Sequence, residues 1–367
     1  MQILYITNCP APYRVEFFNE LTKYCELTVV FEMDKAKNRE DTWKSCENYK
    51  FNAVVLKNWF SRQESAFCPE VTKYIKKFKK DIIIVGGYST PTGMWSILYM
   101  RNHHIPFILN CDGGMVKNDS VLKRNIKKFF IEKASAWLST GEKCDEYLEH
   151  YGAKKERIHR YPFTSIKKKD IGRYDAQQRK CLRDMLGIKE KNVILFVGSF
   201  IYRKGLDILL ASCQEMDDVA LVLVGGTNIN DFLPRQQNKI RTHLYIEGFK
   251  AESEVKKYYQ IADMFVLPTR QDIWGLVINE AMAAGLPIIT TDQCVAGLEL
   301  IEESVNGYIV PSDDGELLRQ SIVKLLNNKN LQEEMCSYNL KKIQKYTIEK
   351  MAESHNKIFI DFKEEIL

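Results

Sequence analysis

The chain has 367 residues, of which 45% are hydrophobic and 28% charged, a composition that allows two globular domains and excludes a disordered chain. No apolar run approaches the ~18 residues that a membrane span needs, and the start lacks the basic segment of a signal peptide, so we expect a cytoplasmic protein. The ten cysteines are scattered without a C-x-x-C pair, which favours free thiols over disulfides or a zinc site.

Positive charge is concentrated in the first part of the chain. Residues 1–165 carry 26 Lys and Arg against 19 Asp and Glu, whereas the remainder carries 27 against 29. An acidic partner such as an anionic membrane surface would therefore be met by the N-terminal half. No nucleic-acid partner is expected.

The first half alternates short apolar runs with amphipathic segments. The runs predict strands at Gln2–Thr7, 27–31, Ile82–Val85, 105–109 and 137–139, and residues 16–24 predict a helix. This alternation is typical of a parallel, doubly wound sheet with helices on both faces. The expected fold class is therefore α/β.

A stretch rich in Lys and Arg interrupts this alternation near residues 164–190, and we expect a linker at 164–170. Strands then resume at 193–198, 221–224, 244–246 and Met264–Leu267, followed by helices at 275–284, 317–326 and 331–343. The predicted domains are 1–165 and 166–347, with an amphipathic terminal helix at about 348–367 that packs back on the first domain.

The most informative stretch is P-T-R-Q-D-I-W-G-L-V-I-N-E-A-M-A-A-G-L-P-I-I, residues 268–289. Asp272 precedes a predicted helix and Glu280 lies inside it. The N–H groups of Gly275, Leu276 and Val277 would be the unpaired donors of the helix N-terminus, a ready anion site. A diphosphate could bind there, and the two carboxylates could accept hydrogen bonds from hydroxyl groups on either side. Such a site would suit a nucleotide sugar. An ordinary amphipathic helix with two solvated carboxylates is the alternative.

This stretch resembles the signature of the retaining family-4 glycosyltransferases, which have two Rossmann-like doubly wound domains facing a central cleft (the GT-B architecture). The residues that match in register are Pro268, Gly275, Leu276, Val277, Glu280, Ala281, Met282, Ala283, Gly285 and Pro287. The resemblance implies that Glu280 holds the donor ribose and that the first carboxylate, here Asp272 in place of a glutamate, touches the donor hexose. Trp274 occupies the aromatic position of the signature.

The loop G-S-F-I-Y-R-K-G, residues 198–205, joins a predicted strand to a helix. Arg203 and Lys204 suit a pyrophosphate, although an isolated pair of cations is also typical of a solvated basic turn. In the resembled family this loop, here starting with Gly198, supplies Arg and Lys to the donor phosphates. Lys204 aligns with that Lys, and Ser199 occupies the Arg position, so Arg203 is the candidate substitute.

Two further features complete the expected donor site. Phe249 lies in the turn that touches the nucleobase in the resembled family, although E-G-F is also plain turn chemistry. No D-x-D triplet occurs in the sequence, and such a triplet holds a divalent ion in single-Rossmann sugar transferases. We therefore expect no essential metal and no cofactor, with the nucleotide sugar as donor substrate.

On the acceptor side, T-N-C-P-A-P-Y-R, residues 7–14, follows the first strand, and Tyr13 and Arg14 are candidates to meet an acceptor. A rigid turn is the alternative. Asp112 stands where the family often has a His near the transferred sugar, so we expect it to orient the acceptor hydroxyl; an Asp-Gly turn residue is the alternative. His103 and His104 are expected at the surface.

Residues 121–133 place four cations, Lys123, Arg124, Lys127 and Lys128, beside Phe129, Phe130 and Ile131. Such a run can lie on an anionic bilayer, or it can be a solvated helix face with one apolar stripe. A lipid-linked acceptor would favour the bilayer and a peripheral position at the inner face of the plasma membrane.

The sequence thus indicates a retaining glycosyltransferase. It would move a hexose from a nucleotide-diphosphate sugar to a saccharide or polyprenyl-linked saccharide, in the synthesis of bacterial capsule, exopolysaccharide or lipopolysaccharide. One alternative is a sugar-nucleotide epimerase or oxidoreductase, against which the absence of G-x-G-x-x-G after a strand counts. A catalytically silent binding scaffold is the other. The sequence leaves the nucleoside, the hexose and the acceptor open.

Overall fold

The computed structural model describes residues 1–34, 48–62, 65–233 and 242–366. They form two compact units, one made of Met1–Ser165 with Tyr346–Leu367 and the other of Ile166–Lys345. Across the described parts of the chain, no helix combines the length and the apolar character that a membrane crossing needs.

The first unit is built on a parallel sheet. Its strands are β1 (Gln2–Thr7), β2 (Glu26–Phe31), β3 (Asn52–Val55), β4 (Phe60–Arg62), β5 (Ser65–Phe67), β6 (Ile82–Val85), β7 (Ile108–Asn110), β8 (Ala136–Ser139) and β9 (Ile158–Arg160). Its helices before the linker are α1 (Pro12–Leu21), α2 (Val71–Lys77), α3 (Pro91–Asn102), α4 (Val121–Ile131) and α5 (Glu142–His150). The sheet order is β3-β2-β1-β6-β7-β8-β9, while β4 and β5 form a separate antiparallel hairpin.

The second unit repeats this plan. Its strands are β10 (Asn192–Val197), β11 (Val219–Val224), β12 (His243–Glu247), β13 (Met264–Leu267), β14 (Ile288–Thr291) and β15 (Gly307–Val310). Its helices are α6 (Ala176–Met185), α7 (Leu206–Cys213), α8 (Glu252–Ile261), α9 (Leu276–Ala283), α10 (Val295–Leu300), α11 (Gly315–Leu326) and α12 (Lys329–Lys342). The parallel sheet has the order β12-β11-β10-β13-β14-β15.

Both sheets reverse their strand order next to the first strand of the unit, between β1 and β6 and between β10 and β13. Ligands of open α/β sheets bind at such a reversal, outside the carboxyl ends of the strands. The strands themselves are continuous apolar runs because helices cover both faces, and every residue of β6, β11 and β13 is buried. The expected fold class, with two doubly wound α/β domains, is confirmed.

The last helix, α13 (Ile348–Ile366), belongs to the first unit. It packs on α1, and the His355 ring lies 4.7 Å from the Phe17 ring and 4.5 Å from the Tyr161 ring, measured between centroids. Phe359 and Phe362 on the same helix face are buried. The far end of the chain therefore supplies part of the first core.

Three local predictions need correction. The first helix begins at Pro12 instead of residue 16, since a proline suits the first position of a helix, and Tyr13 and Arg14 lie in its first turn. Strand β7 begins at Ile108 instead of 105, because Pro106 just before it has no N–H for a sheet ladder. The basic stretch after the linker contains α6, which starts at a capping box of Asp175 and Gln178.

Candidate functional site

The reversal point of the second unit brings two loops side by side, residues 198–205 after β10 and residues 268–275 after β13. The backbone N–H of Arg270 and the hydroxyl of Thr269 both donate to the carbonyl of Arg203, at 2.8 and 3.0 Å. Gly205 has a φ of +70°, and a Cβ there would lie 1.9 Å from the carbonyl oxygen of Pro268. Only glycine permits this close approach of the loops.

The two loops join the predicted cations to the first predicted carboxylate. Lys204 forms an ion pair with Asp272, and Arg203 Nη1 lies 3.8 Å from Asp272 Oδ1. Arg203 also donates to the carbonyl of Gln271 at 2.5 Å. The Lys204 and Asp272 side chains are only 13% and 12% exposed, whereas Arg203 is 45% exposed. Two cations therefore face one carboxylate, which leaves a net positive charge at this edge.

Helix α9 begins beside this ion pair. Gly275 is its N-cap with a φ of +104° and provides no side-chain cap, and its carbonyl accepts from the N–H of Ile278 at 2.9 Å. The N–H groups of Leu276 and Val277 in the first turn point along the helix axis, where they lack intrahelical acceptors. Together with the helix dipole they favour an anion at this end.

Glu280 lies in the middle of α9 and accepts a hydrogen bond from the Tyr259 hydroxyl at 2.9 Å. Tyr259 is buried, and burial together with the adjacent Glu280 charge raises the pKa of this tyrosine well above its usual value. The tyrosine thus stays a neutral donor that orients the carboxylate. The sequence analysis did not identify Tyr259, which lies on α8, outside the signature stretch.

The remaining predicted donor residues lie at the same sheet edge. Gly198 and Ser199 follow β10, and Phe249 follows β12 with its ring 42% exposed. The Trp274 side chain, by contrast, is buried, and its indole N–H donates to Asn279 Oδ1 at 3.0 Å. A donor contact of Trp274 would therefore have to come from its main chain.

Arg270 is a residue of this site that the sequence analysis missed. Its guanidinium lies 3.7 Å from the centre of the Tyr202 ring and donates to both carboxylate oxygens of Asp207, at 2.8 and 2.7 Å. It also donates to Asp313 Oδ1 at 2.7 Å. Arg270 thus fixes the 268–275 loop to α7 and to the segment before α11. Its only sequence signal was its place inside the signature.

The first unit holds the predicted acceptor residues in one cluster. Asp112 forms an ion pair with Arg14 and accepts from Tyr161 Oη at 3.0 Å and from Asn110 Nδ2 at 2.7 Å. Arg14 is buried and donates to Tyr5 Oη at 3.3 Å. Burial opposes its charge and is the largest single influence, but the Asp112 carboxylate and the neighbouring tyrosines together outweigh it and raise the Arg14 pKa well above its usual value. Arg14 is thus occupied in holding Asp112.

Aromatic rings surround this cluster. The Arg14 guanidinium lies 5.7 Å from the centres of the Tyr13 and Phe163 rings, and these two rings meet edge to face at 5.9 Å. Tyr161 was not among the predicted residues. It follows β9 directly, at the carboxyl edge of the same parallel sheet as Asp112. Its position at the end of a strand could have identified it as a site residue from the sequence.

A buried carboxylate also lies at this edge, and the sequence analysis did not find it. Glu32 follows β2 and accepts from the Thr90 hydroxyl at 2.5 Å and from the Ala66 N–H at 3.1 Å. Burial raises its pKa from 4.5 to about 7, although both hydrogen bonds act in the opposite direction. No pattern in the sequence distinguishes this glutamate from a solvated one.

The predicted basic run 121–133 needs a partial correction. Lys127 is only 15% exposed, because its ammonium pairs with Asp119 at 2.6 Å and lies over the Tyr147 and Tyr151 rings. Phe130 and Ile131 pack in the core. The outward residues of α4 are the three cations Lys123, Arg124 and Lys128, the polar Asn125, and the apolar side chains Val121, Leu122, Ile126 and Phe129. His103 and His104 are exposed, as predicted.

Comparison with known proteins gives a consistent result. Residues 178–342 match the family model described as glycosyl transferases group 1. An uncharacterized glycosyltransferase of Methanocaldococcus jannaschii is 24% identical over 282 residues, which are 76% of this chain and 74% of the relative.

Another relative is named for its substrates. The N,N'-diacetylbacillosaminyl-diphospho-undecaprenol alpha-1,3-N-acetylgalactosaminyltransferase of Campylobacter jejuni is 25% identical over 291 residues, 76% of this chain and 74% of the relative. Among solved structures, HepE of Anabaena in complex with UDP superposes with a TM-score of 0.80 and 16% identity, covering 98% of this chain and 100% of that one. The GT-B fold is confirmed by this likeness.

Proposed function

We propose, from the match of residues 178–342 to the family model of glycosyl transferases group 1, that the protein is a retaining hexosyltransferase that uses a nucleotide-diphosphate sugar. The observation that carries the proposal is the grouping of Arg203, Lys204 and Asp272 beside the N-terminus of α9, with Glu280 further along that helix. Cations and helix N–H groups would bind the diphosphate, and Glu280 would bind the ribose. Asp272 would contact the hexose.

In this proposal Lys204 has two partners. Its ammonium is paired with Asp272, so an arriving diphosphate would share it or replace the carboxylate as its partner. Asp272 would then be free to turn toward a sugar hydroxyl. Retention of configuration would follow a front-face path, in which the donor phosphate takes the acceptor proton and the protein supplies positioning and charge stabilisation.

The Asp112 cluster would orient the acceptor. Asp112 receives hydrogen bonds from three side chains, Arg14, Tyr161 and Asn110, so its charge is well compensated. A carboxylate held this way is suited to accept a hydrogen bond from an acceptor hydroxyl and to fix its direction.

A screen of nucleotide sugars tests the proposed donor site. We expect one of UDP-, GDP- or ADP-sugars to raise the melting temperature in buffer with EDTA, since the cations and helix N–H groups would replace a metal. NAD⁺ and NADP⁺ belong in the same screen, because stabilisation by them alone would favour the oxidoreductase alternative. Loss of nucleotide-sugar binding in EDTA, restored by a divalent ion, would contradict binding without metal.

The Lys204→Ala variant tests the phosphate contact in particular. Hydrogen bonds to charged groups contribute about 1.5–3 kcal/mol, so we expect donor affinity to fall roughly 10- to 100-fold. Lys191→Ala is the matched control, because Lys191 is an exposed lysine of the same unit at the opposite edge of the sheet, just before β10. Titration calorimetry measures both, and equal affinities would show that Lys204 is only a partner of Asp272.

The acceptor is proposed to be a saccharide carried on a polyprenyl diphosphate, as in bacterial surface polysaccharide synthesis. The relative from Campylobacter jejuni, whose name includes diphospho-undecaprenol, supports this choice. The outward cations and apolar residues of α4 also support it, because they suit the surface of an anionic bilayer. The protein would then work at the inner face of the plasma membrane.

A vesicle experiment tests this placement. Each basic residue near an anionic surface contributes about 1 kcal/mol, so changing Lys123, Arg124 and Lys128 to Gln should nearly abolish co-sedimentation with anionic vesicles. Binding by the unaltered protein should also fall from low to high salt. The matched control changes Lys73, Lys79 and Lys80, three exposed lysines of the same unit, to Gln. Equal losses in the two triple variants would mean that only net charge matters.

A further inference from the structure

A groove of about 340 Å³ opens in the first unit between α4 and the segment that follows β6. Tyr88 and Met94 form one wall, and Leu122 and Ile126 form the other. Its volume falls in the usual range of small-molecule sites, roughly 300–1,000 Å³. The Asp112 cluster does not line this groove, so it is a separate feature of the unit.

The groove also has positive lining. Lys123 and Lys127 both line it, and both pair with Asp119, at 3.1 and 2.6 Å. One carboxylate thus faces two ammonium groups, which leaves an excess positive charge. Lys123 is the cation that solvent reaches, since its side chain is 61% exposed. The charge beside Lys123 is therefore complementary to an anionic head group.

The apolar part of the groove continues onto the surface of α4. Leu122, Ile126 and Phe129 have the spacing that places side chains on one face of a helix, and all three are exposed. An apolar stripe that meets a groove lined by both apolar and positively charged side chains suits an amphiphile with an apolar chain and an anionic group.

We propose that this groove binds the part of the polyprenyl chain nearest the diphosphate of the acceptor, with the phosphate that carries the chain beside Lys123. This inference rests on the acceptor class in the proposed function and assigns a site to it. The saccharide would extend from the second phosphate, while the remainder of the polyprenyl chain would leave along the exposed face of α4 into lipid. Binding of the acceptor would thus depend on its lipid part as well as on its sugar.

Farnesyl phosphate, used below its micellar concentration, is the probe, and titration calorimetry is the measurement. Leu122 and Val121 are adjacent residues of α4, 72% and 65% exposed, but only Leu122 lines the groove. We expect Leu122→Gln to weaken farnesyl phosphate binding roughly fivefold or more through lost apolar contact, and Val121→Gln to leave it unchanged. Both residues lie at the surface, so both variants should fold.

Three other results would contradict the proposed binding at the groove. The unaltered protein could fail to bind farnesyl phosphate, the two variants could weaken binding equally, or inorganic phosphate could bind as tightly as farnesyl phosphate. Equal weakening would assign the effect to the general surface of α4, as expected for phospholipid in a bilayer. Binding of nucleotide sugar by the unaltered protein is measured in parallel. If the protein binds nucleotide sugar but not farnesyl phosphate, the proposed groove site is refuted and the proposed donor site is not.

Discussion

Glu32 shows how a single buried carboxyl couples stability to pH. Its pKa in the folded protein is about 7, above its usual 4.5, because burial disfavours the charged form. A carboxyl whose pKa is raised by folding favours the folded state most below its unfolded pKa. That contribution is lost as pH rises from about 4.5 through 7.

The Glu32→Gln variant tests this coupling. An amide resembles the protonated acid, so the variant should match the unaltered protein near pH 5 and exceed its stability at pH 8. The difference in unfolding free energy at pH 8 should be about 3 kcal/mol. Urea unfolding at several pH values measures it. The exposed Glu156→Gln serves as control for the loss of one negative charge; a difference independent of pH would refute the interpretation.

At the residue scale, sequence reasoning located single side chains better than it located their partners. Asp112 was expected from its place at the position where the resembled family often has a His, but the ion pair with Arg14 joins residues 98 positions apart. Arg14 was expected to face an acceptor, whereas the start of α1 at Pro12 turns it into the interior. Such pairings depend on how elements pack, and one sequence does not reveal packing.

At the scale of elements, the close approach of the two loops in the second unit depends on Gly205. Both Gly205 and Gly187 have left-handed backbones, with φ of +70° and +71°. A Cβ at Gly205 would meet the Pro268 carbonyl at 1.9 Å, whereas nothing lies within 4 Å of a Cβ at Gly187. The two glycines therefore separate the cost of the backbone conformation from the cost of the steric clash.

We expect Gly205→Ala to be the more damaging of the two substitutions. The left-handed backbone costs a non-glycine residue about 1–2 kcal/mol at either site, and overpacking adds typically 1–3 kcal/mol at Gly205 only. Chemical denaturation should show the difference, and donor affinity should fall with Gly205→Ala because the Lys204 and Asp272 loops would separate. Equal stability of the two variants would show that the loops can move apart freely.

Helix α6 is the element that sequence patterns described least well. Its ten residues include no buried side chain, so burial of apolar side chains contributes little to holding it in place. What holds it is charge: Arg179 and Arg183 each donate to the buried Asp263 at 3.0 Å, just before β13. The Lys and Arg content that suggested a linker therefore serves packing of the second unit.

At the scale of the whole molecule, the two units have separate cores, and α13 contributes to the first. Phe359→Ala should destabilise that unit by about 3–5 kcal/mol, the usual cost of removing a buried aromatic ring. The adjacent Ile360 is 45% exposed, so Ile360→Ala should have little effect. Hydrogen exchange should show faster exchange in Met1–Ser165 and unchanged exchange in Ile166–Lys345. Faster exchange in both would mean that the units unfold together.

The place of α13 also has a consequence for the order of events at the ribosome. The second unit is one continuous stretch and has all its strands and helices once Lys345 has been made. The first unit starts earlier but ends later, because its α1 face remains uncovered until Ile348–Ile366 has left the exit tunnel. The part of the chain that is synthesised first thus completes its core last, and meanwhile Phe17 on α1 lacks the aromatic contact that His355 later provides.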